Sequence, residues 1–179
     1  MFILYKNEGI DMAIKTLKVW DVEDPYTSSD TVGKLFAFRD NLNGEYDGDI
    51  AHLMGYEGSG GVAYLDVICE DYYGVAYSGV QKYFHDVPTY SWTVMVLAHE
   101  VGHNLGAHHS HACVWGPNGD KAVDCCAPHA YSGYNECSGA CNAEPYLPEN
   151  GGTVMSYCHM NVGINLNEGF GEWPGERIR

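Results

Sequence analysis

Short runs of apolar and β-branched residues in the first half of the chain predict three strands. Residues 12–20 mix such side chains with two lysines, a pattern typical of a half-exposed strand. Two shorter runs, 50–54 and 62–68, are further strand candidates. The tetrapeptide Gly-Val-Ala-Tyr occurs at 61–64 and at 74–77, which we attribute to the abundance of glycine and tyrosine and not to a structural repeat.

Two longer segments have the periodicity of a helix. The first covers residues 31–42, with Ser29 or Asp30 available as its N-cap. The second runs from about 91 to 105 and is followed by Gly106, which tolerates the positive φ of a helix end. The first helix is expected to bury the face that carries its i, i+3, i+4 and i+7 positions, at Val32, Leu35, Phe36 and Arg39.

The composition is that of a single soluble globular domain. The chain has 179 residues, of which 45% are hydrophobic and 18% charged, enough to form a buried core. Nine lysines and arginines against 24 aspartates and glutamates give a formal net charge of −15. Nucleic acids and anionic membrane surfaces need clustered cations, so we expect neither as a partner. Basic or neutral substrates fit this charge better.

The cysteine content indicates disulfide bonds and therefore an oxidising compartment. Most of the cysteines lie in a loop-rich segment, from about 107 to 150, that must be held by cross-links or packing. The apolar run at residues 1–5 is too short for a signal peptide, so we expect a fragment of a longer secreted protein, extracellular or periplasmic. The cysteines are Cys69, Cys113, Cys125, Cys126, Cys137, Cys141 and Cys158.

Three histidines and a glutamate in one short stretch have the spacing of a catalytic metal site. On a helix, His99 and His103 point the same way and can bind one Zn²⁺, with Glu100 beside them as a base. Gly106 lets the chain leave the helix so that His109 can reach the same ion. Three neutral imidazoles leave one position open for water, as in catalytic zinc sites. Two other histidines are register alternatives for the third ligand, His108 and His111.

The stretch HEVGHNLGAHH at 99–109 and the stretch GTVMSYCH at 152–159 resemble the metzincin zinc endopeptidases. Within them, the chain is most similar to the adamalysin/reprolysin-like secreted bacterial members. Looser matches at 60–65, 113–115 and 169–176 extend the resemblance over most of the chain. Domains of this family normally open with a further strand and most of a helix before the position of Met1, so the N-terminus looks truncated.

The resemblance implies an α+β fold. A twisted mixed β-sheet with two helices above the cleft would be followed by a small irregular, disulfide-bearing C-terminal subdomain. Residues 1–106 would then form the N-terminal subdomain with the sheet and the zinc-binding helix. Residues 107–179 would carry the third zinc ligand and the Met-turn, with Met155 as a hydrophobic floor under the metal. The strand at 62–66 would be either the sheet edge that pairs with an extended substrate or an ordinary internal strand.

The implied function is that of a monomeric zinc-dependent endopeptidase that hydrolyses protein or peptide substrates through a metal-activated water. Glu100 would take the proton from that water and pass it to the departing amine. One alternative is a non-catalytic zinc-containing binding module of the same fold. Another is a thiol redox or structural metal protein. Its adjacent cysteines lack the CxxC spacing of a redox-active pair, which argues against it. It would use Cys125, Cys126, Cys137 and Cys141.

Three further expectations concern a tyrosine, a disulfide bond and an acidic run. Tyr157 has the spacing from Met155 at which astacins and serralysins place a tyrosine that can reach the zinc and stabilise the oxyanion; the alternative is that it packs under the zinc loop. Because the segments after His109 and Met155 must converge on one metal, a Cys113–Cys158 disulfide is predicted. The acidic run at 45–49 is either a Ca²⁺ site or a solvated loop.

Overall fold

A small mixed sheet and the helices that pack on it form an α+β fold, as the sequence predicts. The computed structural model describes residues 1–56, 60–127, 141 and 146–179. None of the described helices is both long enough and apolar enough to cross a membrane. The described α-helices and strands are α1 (Phe2–Asn7), α2 (Thr31–Leu42), β1 (Ala51–Gly55), β2 (Gly61–Ala63), β3 (Val75–Gly79), α3 (Trp92–Asn104) and α4 (Glu172–Ile178). Two short 3₁₀ helices cover Cys158–Met160 and Leu166–Glu168.

The three described strands are arranged in the order β1-β3-β2. β1 runs parallel to the central strand β3, and β2 runs antiparallel to it, with Val62 opposite Tyr77. All five residues of β3 are buried, as expected for the central strand of a sheet. This strand is not among those predicted from the sequence, although its valine and tyrosine are typical strand residues. Among the described strands, β2 lies at an edge of the sheet.

The predicted strand 62–68 is shorter in the structure, because its second half caps α3. The backbone N–H groups of Asp66 and Val67 donate to the carbonyls of His103 and Asn104, each at 2.9 Å. Carbonyls at the end of a helix have no hydrogen-bond partner within the helix. These two bonds therefore remove the free-energy cost of burying the carbonyls without a donor. The chain therefore leaves the sheet after Ala63 to hold the end of α3.

The two longer helices lie where the sequence predicts them. α2 is capped by Asp30, whose carboxylate accepts the N–H of Gly33 at 2.8 Å. The buried face of α2 differs from the prediction, because it consists of Leu35 and Phe38, whereas Val32 and Phe36 are 43% and 44% exposed. Leu35 and Phe38 pack on β1 and β3, so the sheet selects the face.

The strand predicted at 12–20 does not form. Residues 11–20 have no regular secondary structure, and Ile14, Leu17 and Val19 are 64%, 66% and 77% exposed. A strand is stable only when a neighbour accepts and donates its backbone hydrogen bonds, and no described strand lies beside this segment. The β-branched residues alone were a misleading signal.

Disulfide bonds hold the segment that follows α3, as expected. Cys125 is bonded to Cys141, and Cys126 is bonded to Cys158. The predicted Cys113–Cys158 bond is therefore wrong. Cys113 is itself disulfide-bonded, but the chain that returns past residue 110 brings Cys126 to Cys158 instead.

The other cysteines test the hypothesis that this is a thiol redox or structural metal protein. Cys69 is an exposed free thiol, and Cys137 lies outside the described residues. The adjacent Cys125 and Cys126 bond to different partners and not to each other. This arrangement gives no support to a vicinal redox pair.

Candidate functional site

Three imidazoles converge at the end of α3. Nε2 of His103 lies 3.1 Å from Nε2 of His99 and 3.1 Å from Nε2 of His109. In a tetrahedral zinc site with Zn–N distances of about 2.0–2.1 Å, ligand nitrogens are separated by roughly 3.3 Å. Among the described residues, these three form a group whose ligand atoms lie close enough together to hold one metal ion.

Backbone carbonyls orient two of these rings. Nδ1 of His99 donates to the carbonyl of Val154 at 2.8 Å, and Nδ1 of His103 donates to the carbonyl of Ala107 at 2.6 Å. Neutral imidazoles held in this way have lone pairs on both Nε2 atoms, so the 3.1 Å approach brings two acceptors together. A cation between them removes that repulsion, and the donor set therefore fits a divalent metal.

Burial keeps His99 neutral. His99 is 5% exposed, and its pKa lies well below the usual value for histidine. The main cause is burial, followed by the electrostatic effect of His103 and His109. A neutral imidazole is the form that binds a metal.

The chain reaches the third imidazole by the sharp exit that the sequence predicts. Gly106 has a φ of +94°, a conformation that residues with a Cβ rarely adopt. The carbonyl of His109 accepts the indole N–H of Trp115 at 2.9 Å, which fixes the loop after the helix. His111 stacks on the ring of His109, with a centroid distance of 5.0 Å, and neither it nor His108 belongs to the group of three.

The carboxylate of Glu100 lies between α3 and the edge strand β2. Glu100 is only 4% exposed, and burial raises its pKa well above the usual value for glutamate. A Cβ placed on Gly61 would be 2.5 Å from its Oε1, so the carboxylate occupies the space that a side chain of β2 would fill. Gly61 is not among the site residues predicted from the sequence.

Met155 packs against α3, which carries His99 and His103. It is fully buried, and a Cβ placed on Gly102 would lie 2.7 Å from its sulfur atom. The carbonyl of Met155 accepts the N–H of Ser110, the residue after His109, at 2.8 Å. The loop with the third histidine is thereby fixed to the segment that contains Met155.

Tyr157 is half-buried and faces the three histidines. Its ring centroid lies 4.6 Å from that of His109 and 6.0 Å from that of His99. It also lies 5.0 Å from the ring of His111. The structure therefore places the ring of Tyr157 beside the histidine rings, and its role there stays a prediction.

Two other candidate metal sites do not have a comparable arrangement. Asp124, Cys126 and Cys158 lie close together, but their two sulfur atoms form a disulfide bond and are not available as ligands. The acidic run at 45–49 is not among the ligand groups found in the described part of the chain, which gives no support to the Ca²⁺ site.

Comparison with known families agrees with the motif. Residues 3–168 match a reprolysin-type family described as metallo-peptidase family M12. The match covers most of the chain and includes the three histidines, Glu100 and Tyr157.

Proposed function

Because this chain belongs to metallo-peptidase family M12, we propose that it is a zinc-dependent endopeptidase that cleaves extended protein or peptide substrates. The observation that carries the proposal is the convergence of the Nε2 atoms of His99, His103 and His109 beside a buried carboxylate. Three nitrogen ligands leave a coordination position open, which is the difference between catalytic and structural zinc sites.

Zinc bound to these imidazoles would polarise the attacking water and the scissile carbonyl. Glu100 is assigned as the general base, which accepts the proton from that water and then donates it to the departing amine. Its burial supports the assignment, because a carboxylate with a raised pKa is a better proton acceptor and can also deliver the proton. Gly61 leaves this carboxylate room beside the edge strand.

Tyr157 is assigned as the second catalytic group. A phenol O–H beside the metal site can donate to the oxyanion that develops on the scissile carbonyl. The distance of its ring from those of His99 and His109 supports this role. The alternative, packing of the ring under the loop of His109, makes a different prediction for removal of the hydroxyl alone.

The edge strand β2 is the proposed docking site for the substrate. It pairs with β3 on one side within the described sheet, and its Gly61 contacts the carboxylate of Glu100. An extended peptide that adds to this edge would bring a backbone carbonyl to the metal site. It would lie in the cleft between the proposed subdomains 1–106 and 107–179, and the net charge of −15 favours neutral or basic peptides.

We place the enzyme outside the cytoplasm, as an extracellular or periplasmic monomer. The Cys125–Cys141 and Cys126–Cys158 disulfide bonds support the location outside the cytoplasm, because such bonds persist in oxidising compartments.

Cleavage of casein by wild type and by Glu100→Ala, with and without 1,10-phenanthroline, tests the function. We expect wild-type cleavage that the chelator abolishes and added Zn²⁺ restores. Glu100→Ala should bind zinc and lose at least 10²-fold in kcat. A wild-type protein that binds zinc and cleaves neither casein nor gelatin would be the non-catalytic binding module.

A further inference from the structure

The last residue of α3, Asn104, is a buried polar side chain that the proposed mechanism does not use. It is fully buried, and its Nδ2 donates to the backbone carbonyls of Tyr64 at 2.9 Å and of Val75 at 3.2 Å. Both bonds depend on the side chain, because its amide supplies the two N–H donors. Its Oδ1 is buried without a hydrogen-bond partner among the described residues. Burial of that oxygen costs free energy, so the two donated bonds are the gain that this amide brings over an apolar side chain.

The two carbonyls lie where β2 and β3 separate. In the register of these strands, Ala63 is opposite Ala76. Continued by one step, the same register would place Tyr64 opposite Val75. The strand nevertheless ends at Ala63, and the chain turns away to cap α3. The amide of Asn104 bridges the two backbones at this point and gives both carbonyls a donor.

β2 contacts the same face of α3 at its other end. Glu100 and Asn104 are four residues apart on α3, so their side chains point to the same side of the helix. Glu100 occupies the space beside Gly61, the first residue of β2. Asn104 bonds to Tyr64, the residue after the strand. The short strand is therefore fixed to α3 at both ends.

We propose that Asn104 is a positioning residue for substrate binding: its amide ends the β2–β3 pairing after Ala63 and fixes the docking edge of β2 beside Glu100. The proposal rests on the proposed peptidase function. A peptide that adds to a sheet edge is held by main-chain hydrogen bonds along several residues, so the position of the strand decides which of its carbonyls reaches the site. A misplacement of about 1 Å can reduce the rate by about 10²-fold.

Cleavage by Asn104→Leu of a long peptide that can pair along β2, and of a blocked tripeptide that cannot, tests the proposal. Leucine has a similar branched shape and no donor. We expect the ratio of kcat/KM for the long peptide to that for the tripeptide to fall by about 10–10²-fold, mainly through KM, with wild-type zinc affinity. In the metal-free protein, hydrogen exchange at residues 61–64 should be faster than in wild type.

Asn161→Leu is the matched control. It also loses an amide bond to a backbone carbonyl, that of Cys126 at 3.0 Å, and it should keep the wild-type ratio and the wild-type exchange at 61–64. A wild-type ratio in Asn104→Leu, an equal loss on both substrates, or a loss that Asn161→Leu shares overturns the proposal. An equal loss is the result expected of a purely structural role, since that would weaken the site for every substrate.

If Asn104→Leu does not fold, Asn104→Ser removes the amide without adding volume. A wild-type ratio or wild-type exchange at 61–64 in that variant also overturns the proposal. A wild-type protein that binds zinc and cleaves neither substrate would refute the proposed peptidase. Hydrogen exchange would still show whether Asn104 holds β2, so the two failures are distinguishable.

Discussion

The carboxylate of Glu100 occupies the space beside Gly61 that a side chain at that position would fill. A Cβ on Gly61 would lie 2.5 Å from Oε1 and 2.6 Å from Cγ of Glu100, closer than such atoms approach without displacement. Glu100, which we assign as general base, can therefore pack against β2, which we assign to substrate docking, because Gly61 has no side chain. A substrate that pairs with β2 would therefore lie next to the carboxylate of Glu100.

Gly61→Ala is expected to displace the carboxylate of Glu100 and lower kcat by about tenfold or more, because proton transfer needs hydrogen-bond distances. Zinc content should stay at the wild-type level, since no ligand is touched. Gly48→Ala is a matched control, because a Cβ there meets no atom closer than 3.7 Å. Steady-state kinetics and zinc analysis of the two variants test this prediction. A wild-type kcat in Gly61→Ala would contradict the claim that Glu100 needs the space left by Gly61.

His109→Ala should lose zinc, whereas His108→Ala should keep it. Nε2 of His109 lies 3.1 Å from Nε2 of His103, and His108 is not a member of the group of three histidines. Removing one of three ligands is expected to weaken zinc binding by more than 10²-fold. Zinc stoichiometry after dialysis against a weak chelator measures the effect. Retention of zinc by His109→Ala together with its loss from His108→Ala would reverse the ligand assignment.

Tyr157→Phe removes the hydroxyl and keeps the ring that packs near His109 and His111. If the hydroxyl stabilises the oxyanion, kcat should fall by about 10²–10³-fold with little change in KM or thermal stability. Pre-steady-state and steady-state assays on one peptide substrate are sufficient. Unchanged kinetics would leave packing as the role of Tyr157.

His52 should make the stability of the metal-free protein fall with pH below 6.5. Burial lowers the pKa of His52 to about 4, and its Nε2 contacts the hydroxyl of Ser78 at 2.9 Å. The unfolded chain therefore binds a proton between pH 6.5 and about 4 that the native state does not bind. The stabilisation is complete above pH 6.5 and is lost as the pH falls, by about 1.4 kcal/mol per unit and roughly 3 kcal/mol in total.

Urea unfolding of wild type and His52→Asn in the presence of a chelator, at pH 7.5 and 4.5, measures this contribution. The chelator removes the effect of zinc release from the comparison. The free energy of unfolding should fall less in His52→Asn than in wild type as the pH is lowered. Equal losses in the two proteins would rule out His52 as the source.

The local sequence determined the parts of this protein that depend on short-range geometry. The i, i+4 spacing of His99 and His103 fixes both rings on one face of a helix, whatever surrounds it. The sequence also predicted a helix cap at Ser29 or Asp30, of which the structure uses Asp30, and the exit at Gly106, since each requires a particular residue type. The three ligands and the general base could therefore be proposed from the chain alone.

Only the tertiary structure decided which segments have partners. Residues 12–20 have the composition of a strand and no neighbouring strand, while 64–68 leave the sheet because the end of α3 needs donors. The pairing of Cys126 with Cys158, and not Cys113, depends on the path of a loop. The contacts of Gly61 with Glu100, and of Asn104 with Tyr64, join residues that no local pattern relates, because burial and long-range hydrogen bonds are properties of the folded chain.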